Sequence, residues 1–293
     1  MTLKGVKPEI VEVPKPKFML SGRSGVGKTM LALDFPKPYY IDTEGGAVRQ
    51  QYRKKLADNG GAYFGKDQGS QDFNSVIEEI KSLATTKHNF KTLVIDSFSH
   101  LYNTAAAIAE EKIGNDFGRD KKEANRPTRQ LMRWLETIDM TVILICHAKD
   151  KWERRGRDII NTGTSFDGYD KLEFSLDLWL EANKMGNTRT LLVKKSRIES
   201  FPEGLEIPLD YKEFSRLYGK ETVERESAPV VMATPEQVAR LKELLEVVKI
   251  DSDVVASWLK KAQADDFEDM QGAHIAACIA LCEKKMSGAK GGR

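Results

Sequence analysis

The fold is decided by the stretch Gly22-Arg23-Ser24-Gly25-Val26-Gly27-Lys28-Thr29 of this 293-residue chain. It matches the phosphate-binding loop pattern G-x-x-x-x-G-K-[ST], with a short apolar strand before it and a helical pattern after it. Glycines let backbone N–H groups approach phosphate oxygens, and a helix N-terminus adds partial positive charge. The pattern predicts that Lys28 reaches the β- and γ-phosphates of a nucleoside triphosphate and that Thr29 holds Mg²⁺. The alternative is an ordinary glycine-rich turn.

Composition narrows the class of protein. The formal net charge is +2, so the overall charge does not indicate a nucleic-acid-binding protein. Evidence for nucleic-acid binding must come from local clusters of basic residues. The three cysteines, Cys146, Cys278 and Cys282, form no C-x-x-C pair, which argues against a disulfide framework or a zinc site. No apolar run approaches the ~18 residues of a membrane span. We therefore expect a soluble, cytoplasmic protein with no membrane partner.

Three later strands are predicted to end in polar side chains, at Glu44, Asp96 and His147. The carboxyl ends of parallel strands share one edge of a sheet, which is where ligands bind. At that edge Glu44 could orient and deprotonate a water that attacks the γ-phosphate, and Asp96 could hold Mg²⁺ directly or through water. His147 could sense the γ-phosphate. The alternatives are a helix-capping acid at Glu44, a turn-initiating acid at Asp96 and a structural histidine at 147.

Residues 149–169 are interpreted as a long loop, since they show little hydrophobic periodicity and contain three glycines. A basic loop that carries an aromatic side chain can bind phosphates and stack bases. The candidate DNA-binding residues here are Lys149, Lys151, Trp152, Arg154, Arg155 and Arg157. The alternative is a solvated surface loop.

Composition shifts also predict the domain boundaries. An N-terminal arm (1–16) precedes an ATPase core (17–220), and a charged, proline-containing linker (221–233) follows it. A helical C-terminal module (234–286) begins with Thr234-Pro235-Glu236-Gln237, which has the residues of a helix N-cap with proline at the first helical position. A basic tail (287–293) ends the chain.

From residue 17 to about 215 the chain resembles the RecA-like recombinase ATPases, and more narrowly the RecA-like single-strand annealing proteins of bacteriophages. The phosphate loop is joined by Ile41-Asp42-Thr43-Glu44, similar to the family's catalytic-glutamate strand, and by Leu93-Val94-Ile95-Asp96-Ser97, similar to its Mg²⁺-site strand. Where the family's sensor strand ends in glutamine, this chain has His147. The resemblance implies an α/β, RecA-like P-loop NTPase core, with a mostly parallel central sheet flanked by helices, plus a small C-terminal helical module.

The resemblance also implies two DNA-binding loops. One lies near Gly114–Arg126 and carries Arg119, Lys121 and Lys122, and the other is residues 149–169. Lys195 and Arg197 match the segment whose cations reach the ATP of a neighbouring subunit. The chain would then form a homo-oligomer, either a ring or a filament, with ATP at its subunit interfaces.

The predicted function is an ATP- and Mg²⁺-dependent ATPase that binds single-stranded DNA and promotes annealing or strand exchange. A single-strand-binding protein is a candidate partner, and the compartment would be the cytoplasm of a bacterial host. One alternative is a RecA-fold replication motor or helicase loader. Others are a P-loop kinase with residues 149–157 as its lid, and a non-catalytic ATP switch.

Overall fold

The computed structural model describes residue 5 and residues 12–113, 119–156, 158–262 and 264–290. Within these ranges, the side chains at 113, 119–124, 155 and 288–290 are excepted. The chain folds as two compact units. One comprises Met1–Ile80 and His88–Ser227, and the other comprises Lys81–Lys87 and Ala228–Arg293.

The strands of the first unit are β1 (Lys17–Gly22), β2 (Pro38–Asp42), β3 (Ala62–Phe64), β4 (Thr92–Asp96), β5 (Thr141–Arg155), β6 (Asp158–Phe166), β7 (Leu178–Met185), β8 (Thr188–Ser196) and β9 (Glu206–Pro208). The helices up to residue 224 are α1 (Lys28–Ala32), α2 (Gln50–Asp58), α3 (Phe73–Thr85), α4 (Phe98–Ile113), α5 (Arg119–Thr137), α6 (Leu172–Ser175), α7 (Tyr211–Tyr218) and α8 (Lys220–Glu224). Short 3₁₀ turns span Gly46–Val48 and Lys66–Gln68.

The central sheet has the order β3-β2-β4-β5-β1-β7-β8-β9, and β6 pairs with β5 alone. Pairing is parallel from β3 through β7 and antiparallel from β7 to β9 and between β5 and β6. The central strands read as unbroken apolar runs because both of their faces are covered. The predicted fold class is confirmed as an α/β core with a mostly parallel sheet and flanking helices. β3 was not predicted.

An aromatic cluster packs α7 onto the sheet. The Phe214 ring lies 5.0 Å from that of Phe18, 5.1 Å from Phe35 and 5.2 Å from Phe201, measured between ring centroids. All four side chains are buried. Such ring pairs add about 0.5–1.5 kcal/mol each beyond the area they bury. The cluster joins β1, near the start of the first unit, to α7, near its end.

The loop predicted near Gly114–Arg126 is largely wrong. Residues 114–118 lie outside the described residues, but α5 begins at Arg119 and continues through Pro127 to Thr137. Composition suggested a loop because the first turns of α5 are almost wholly polar. Their helical state depends on propagation from the amphipathic second half of α5, which packs on α4.

The loop predicted for residues 149–169 is also wrong over most of its length. β5 continues to Arg155 and pairs with β6 as an antiparallel β-hairpin, from Ala148 opposite Phe166 to Arg155 opposite Asp158. The register shifts between Lys151 and Trp152, so the alternation of side chains is broken there. A strand that is exposed on both faces has no apolar period, which is why composition indicated a loop.

Two predicted boundaries also differ from the structure. Helix α8 occupies the start of the predicted linker, and α11 (Gly272–Lys290) continues into the predicted basic tail. Residues 1–4 and 6–11 of the predicted arm, and residues 291–293 of the tail, lie outside the described residues. The domain limits as a whole stay a prediction.

The second unit contains α9 (Pro235–Val248), α10 (Ser252–Ala262) and α11. Thr234 Oγ1 accepts a hydrogen bond from the N–H of Gln237 at 3.3 Å, and the Gln237 side chain accepts one from the N–H of Thr234 at 3.0 Å. This reciprocal capping box confirms the predicted start of α9. The core of the second unit includes Leu241, Ile275 and Cys282, all fully buried.

Lys15 is a buried cation two residues before β1, with only 2% of its surface exposed. Its Nζ donates hydrogen bonds to the carbonyl oxygen of Arg225 at 2.6 Å and to Ser227 Oγ at 3.2 Å. Burial lowers the pKa of Lys15 to about 8, although Asp139 opposes that shift. The folded chain therefore releases this proton more easily than the unfolded chain, where the pKa is 10.5.

We expect Lys15 to contribute a rise in the free energy of unfolding with pH between about 8 and 10.5, since at this residue the unfolded state binds more protons in that window. Lys15→Met should remove up to ~1.4 kcal/mol per pH unit of that slope. Urea unfolding of both proteins at pH 8, 9 and 10 measures the difference, with Lys184→Met as an exposed control. Lys17, whose pKa burial also lowers to about 8, is present in every protein compared. Parallel slopes for wild type and Lys15→Met would contradict the prediction.

Candidate functional site

Four strands meet at one edge of the sheet, where β1, β2 and β4 end and β5 continues into the hairpin. Gly22 at the end of β1 pairs with His147 in β5, and Asp96 at the end of β4 pairs with Ile145 in β5. Asp42 at the end of β2 pairs with Asp96. Because these strands are parallel, the loops that leave β1, β2 and β4 all emerge on the same side.

The phosphate loop leaves β1 through glycines at positive φ: 152° at Gly22, 76° at Gly25 and 107° at Gly27. A Cβ at Gly22 would lie 2.7 Å from the carbonyl oxygen of Ala182 in β7, so this position has no room for a side chain. Glycine supplies both the backbone angles and the close approach that the loop needs.

Lys28 is the first residue of α1 and is buried, with 8% of its surface exposed. Its Nζ donates hydrogen bonds to the carbonyl oxygens of Gly22 at 2.7 Å and Arg23 at 3.0 Å. Burial lowers the pKa of Lys28, whereas Asp96 and Glu44 act to raise it. The ammonium group is therefore held inside the curve of the loop, where it can contact phosphate oxygens bound to the loop amides.

Thr29 and Asp96 lie in direct contact. Thr29 Oγ1 donates a hydrogen bond to Asp96 Oδ2 at 2.6 Å, and the Tyr40 hydroxyl donates to the same oxygen at 3.1 Å. Burial raises the pKa of Asp96, and the hydrogen bond from Thr29 opposes that shift. A hydroxyl beside a carboxylate is a pair of hard oxygen donors, which fits Mg²⁺ held by few protein ligands together with phosphates. Tyr40 was missed because nothing in the sequence aims its hydroxyl at Asp96.

Glu44 and His147 meet across the edge. Glu44 Oε1 lies 2.8 Å from His147 Nε2 and also accepts a hydrogen bond from the Ser97 hydroxyl. The Glu44 side chain is 40% exposed and that of His147 is 49% exposed. A carboxylate that is fixed by two partners and open to solvent can accept a proton from a water beside it.

Asp42 is a site residue that the sequence analysis missed. Its carboxylate is buried and accepts hydrogen bonds from the N–H groups of four successive residues, Glu44, Gly45, Gly46 and Ala47, at 2.6–3.3 Å. Asp42 thereby fixes the turn that carries Glu44. The available signal was an aspartate at a strand end followed by a glycine pair, which is typical of a side chain that binds its own turn.

A cavity of about 630 Å³ opens between these groups. The predicted residues that line it are Ser24, Gly25, Gly27, Lys28, Thr29, Glu44, Asp96 and His147. Gly22, Arg23 and Val26 belong to the loop but are not in the lining. The lining also contains Tyr52, Arg189 and Leu209, which no sequence pattern indicated.

Arg23 points away from the cavity, towards the β5–β6 hairpin. Its guanidinium donates a hydrogen bond to Asp150 Oδ1 at 2.7 Å. Both side chains are well exposed, so the pair contributes less than ~1 kcal/mol to stability. Its structural consequence is a direct contact between the phosphate loop and the hairpin.

Lys195 and Arg197, at the end of β8, are not in the lining of the cavity. Lys195 Nζ donates a hydrogen bond to the carbonyl oxygen of Leu176, and Arg197 donates one to that of Phe174. Burial lowers the pKa of Lys195, and the neighbouring Arg197 lowers it further. The two cations therefore form a pair outside the cavity of their own chain.

Four of the predicted DNA-binding residues, Lys149, Lys151, Trp152 and Arg154, lie on β5 of the hairpin and are exposed. Trp152 is 59% exposed, and Ile159 on β6 is 68% exposed. Arg157 lies outside the described residues, as do the side chains of Arg119, Lys121, Lys122 and Arg155.

We expect Asp42→Ala to lower the free energy of unfolding by ~3 kcal/mol, because the buried N–H groups lose a charged acceptor. Asp42→Asn keeps one carbonyl oxygen and should lose less. Urea unfolding measures both, with Asp58→Ala, at an exposed position, as the control within about 0.5 kcal/mol of wild type. An Asp42→Ala protein as stable as the control would show that the hydrogen bonds to the Asp42 carboxylate do not stabilise the turn.

Comparison with solved structures finds 142 matching chains. One is a crystal structure of the RadB recombinase, at 21% identity and a TM-score of 0.43, covering 66% of this chain and 86% of that chain. No curated protein matches. Among the described residues, no helix has the length and apolar character needed to cross a membrane.

A family model described as an AAA domain matches residues 14–198, which include the phosphate loop, Glu44, Asp96 and His147. The family match and the parallel sheet order support a P-loop ATPase core. Since the matched region is more than half of the chain, this chain belongs to the AAA domain family.

Proposed function

We propose that this protein is a DNA-stimulated ATPase that binds single-stranded DNA and promotes annealing or strand exchange, as in the phage-encoded RecA-like annealing proteins. The observation that carries the proposal is the 2.8 Å contact between Glu44 and His147 at the base of an exposed basic hairpin. His147 belongs to the same strand as Lys149, Trp152 and Arg154. One continuous strand therefore joins the nucleotide cavity to the candidate DNA-binding surface.

In the proposed reaction the loop amides and Lys28 bind the phosphates of ATP. Thr29 and Asp96 would hold Mg²⁺, which when bound neutralises phosphate charge. Glu44 accepts the proton of the attacking water. Its carboxylate is held by the Ser97 hydroxyl, and the turn that carries it is held by the hydrogen bonds to Asp42. His147 contacts Glu44 and lines the cavity in which the γ-phosphate would bind. In this proposal His147 senses whether the γ-phosphate is present.

We infer that the hairpin binds single-stranded DNA through its exposed cations and Trp152. The cations neutralise backbone phosphates, and the indole provides a face on which any base can stack. Affinity should therefore fall steeply as salt is raised. Arg119, Lys121, Lys122, Arg155 and Arg157 remain part of the proposed DNA-binding set.

We further propose that Lys195 and Arg197 act on the nucleotide of a neighbouring subunit in a ring or filament. Their absence from the cavity of their own chain is consistent with a role in trans. In that arrangement an isolated monomer would bind ATP but hydrolyse it slowly.

The deciding experiment measures ATP hydrolysis with and without single-stranded DNA, together with annealing of complementary oligonucleotides. We expect hydrolysis to rise with DNA and annealing to depend on ATP. Absence of DNA binding at low salt, with no stimulation, would rule out this function. Unwinding of duplex DNA without annealing would instead identify a replication motor.

Glu44→Gln should strongly slow hydrolysis while leaving ATP affinity within about twofold of wild type, because the amide cannot accept the proton from water. Loss of a general base costs about 10²–10⁴ in rate. Single-turnover hydrolysis and equilibrium nucleotide binding separate the two effects. Glu12→Gln, remote from the cavity, is the matched control. Normal hydrolysis in Glu44→Gln would exclude Glu44 as the base.

Trp152→Ala should weaken binding to single-stranded DNA by ~1–3 kcal/mol, which is the usual contribution of base stacking. Met185→Ala, which removes another highly exposed apolar side chain at the end of β7, is the control. Fluorescence anisotropy with a labelled oligonucleotide measures both affinities. Equal affinities for the two variants would exclude the indole as a stacking platform.

A further inference from the structure

Arg189 is a cation beside the phosphate loop that the proposed mechanism does not use. It lies near the start of β8 and lines the nucleotide cavity. A Cβ built on Gly27 would lie 3.5 Å from Arg189 Cδ and 3.6 Å from its Nε. The stem of the arginine is therefore packed against the backbone of the loop, immediately before Lys28.

The sheet order puts Arg189 on a particular side of that loop. β1 carries the loop, and the strands that carry Glu44, Asp96 and His147 all lie on one side of β1. β7, β8 and β9 lie on the other side. A γ-phosphate must face Glu44, so the remaining phosphates lie along the loop backbone, whose amides cradle the α- and β-phosphates. Arg189 contacts that same stretch of backbone.

The guanidinium of Arg189 is available to a ligand. Its residue is exposed, and among the described side chains it makes no hydrogen bond or ion pair. The backbone of Arg189 is fixed, because its carbonyl oxygen accepts a hydrogen bond from the N–H of Leu209 at 3.1 Å. In the antiparallel pairing of β7 with β8, Arg189 lies opposite Lys184. By contrast, Lys195 and Arg197 are already engaged with carbonyl oxygens outside the cavity.

We propose that Arg189 binds the α- or β-phosphate of the nucleotide within its own chain, an inference that rests on the proposed nucleotide binding. Arginine is suited to this role because its planar fork donates two parallel hydrogen bonds to phosphate oxygens. The site then has a cation on each side of the bound phosphates, Lys28 within the loop and Arg189 beside it. A single subunit can thus hold nucleotide before any neighbour supplies Lys195 and Arg197.

The test is equilibrium binding of ADP and of a non-hydrolysable ATP analogue to the full chain, at a concentration where sedimentation shows a monomer. We expect Arg189→Ala to weaken both ligands by about tenfold, and by similar factors, since the contact is to phosphates that both ligands carry. Arg189→Lys, which keeps the charge but not the fork, should lose about threefold. Lys184→Ala, at the exposed position paired with Arg189, should bind like wild type. Thermal unfolding verifies that each variant is folded.

The outcomes separate this inference from the function on which it rests. If wild type binds neither ligand, the proposed nucleotide binding fails and the inference fails with it. If wild type binds and Arg189→Ala binds equally well, only the role of Arg189 is overturned. A loss confined to the ATP analogue would place Arg189 at the γ-phosphate and also overturn the inference. Equal losses in Arg189→Ala and Lys184→Ala would reduce the effect to general surface charge.

Discussion

The parallel pairing of β1 with β5, and of β5 with β4, is the constraint on which the rest of the structure depends. It aligns Gly22 with His147 and Ile145 with Asp96, so the phosphate loop, Asp96 and His147 reach the same edge. A shift of register by one residue would move these residues by about 3.3 Å and reverse the faces of their side chains. These strands are buried on both faces, so a change of register would disturb side-chain packing on each face of the sheet.

At that edge, the charged side chains of Lys28 and Asp96 are largely removed from solvent. Burial lowers the pKa of Lys28 and raises that of Asp96, so each group alone is driven towards its neutral form. Each also acts on the other in the opposite sense, because a nearby opposite charge favours ionisation. The site thus holds buried charges of both signs, which suits the proposed binding of phosphates and a divalent cation.

The β5–β6 hairpin is tied to the same site at two points. His147 contacts Glu44 at the root of the hairpin, and Asp150 contacts Arg23 of the phosphate loop. Further along, Thr164 of β6 donates a hydrogen bond to the buried Glu181 on β7. A hairpin fixed at its base and exposed beyond it can transmit a change at the cavity to its outer surface. This gives the proposed coupling between nucleotide and DNA a physical route.

Sequence patterns predicted the phosphate loop, the apolar central strands and the polar residues near the ends of those strands, although β2 ends two residues before Glu44 and β5 continues past His147. These features are local, since backbone geometry and burial restrict which residues can occupy them. The tertiary structure decided what local patterns cannot encode. Asp42 accepts the N–H groups of the turn after β2, and Tyr40 donates to Asp96 because β2 pairs with β4. Arg189 lines the cavity because the fold brings the start of β8 close to the phosphate loop. The hairpin and the first turns of α5 were predicted as loops, because polar segments acquire their structure from cross-strand pairing and from helix propagation rather than from an apolar period of their own.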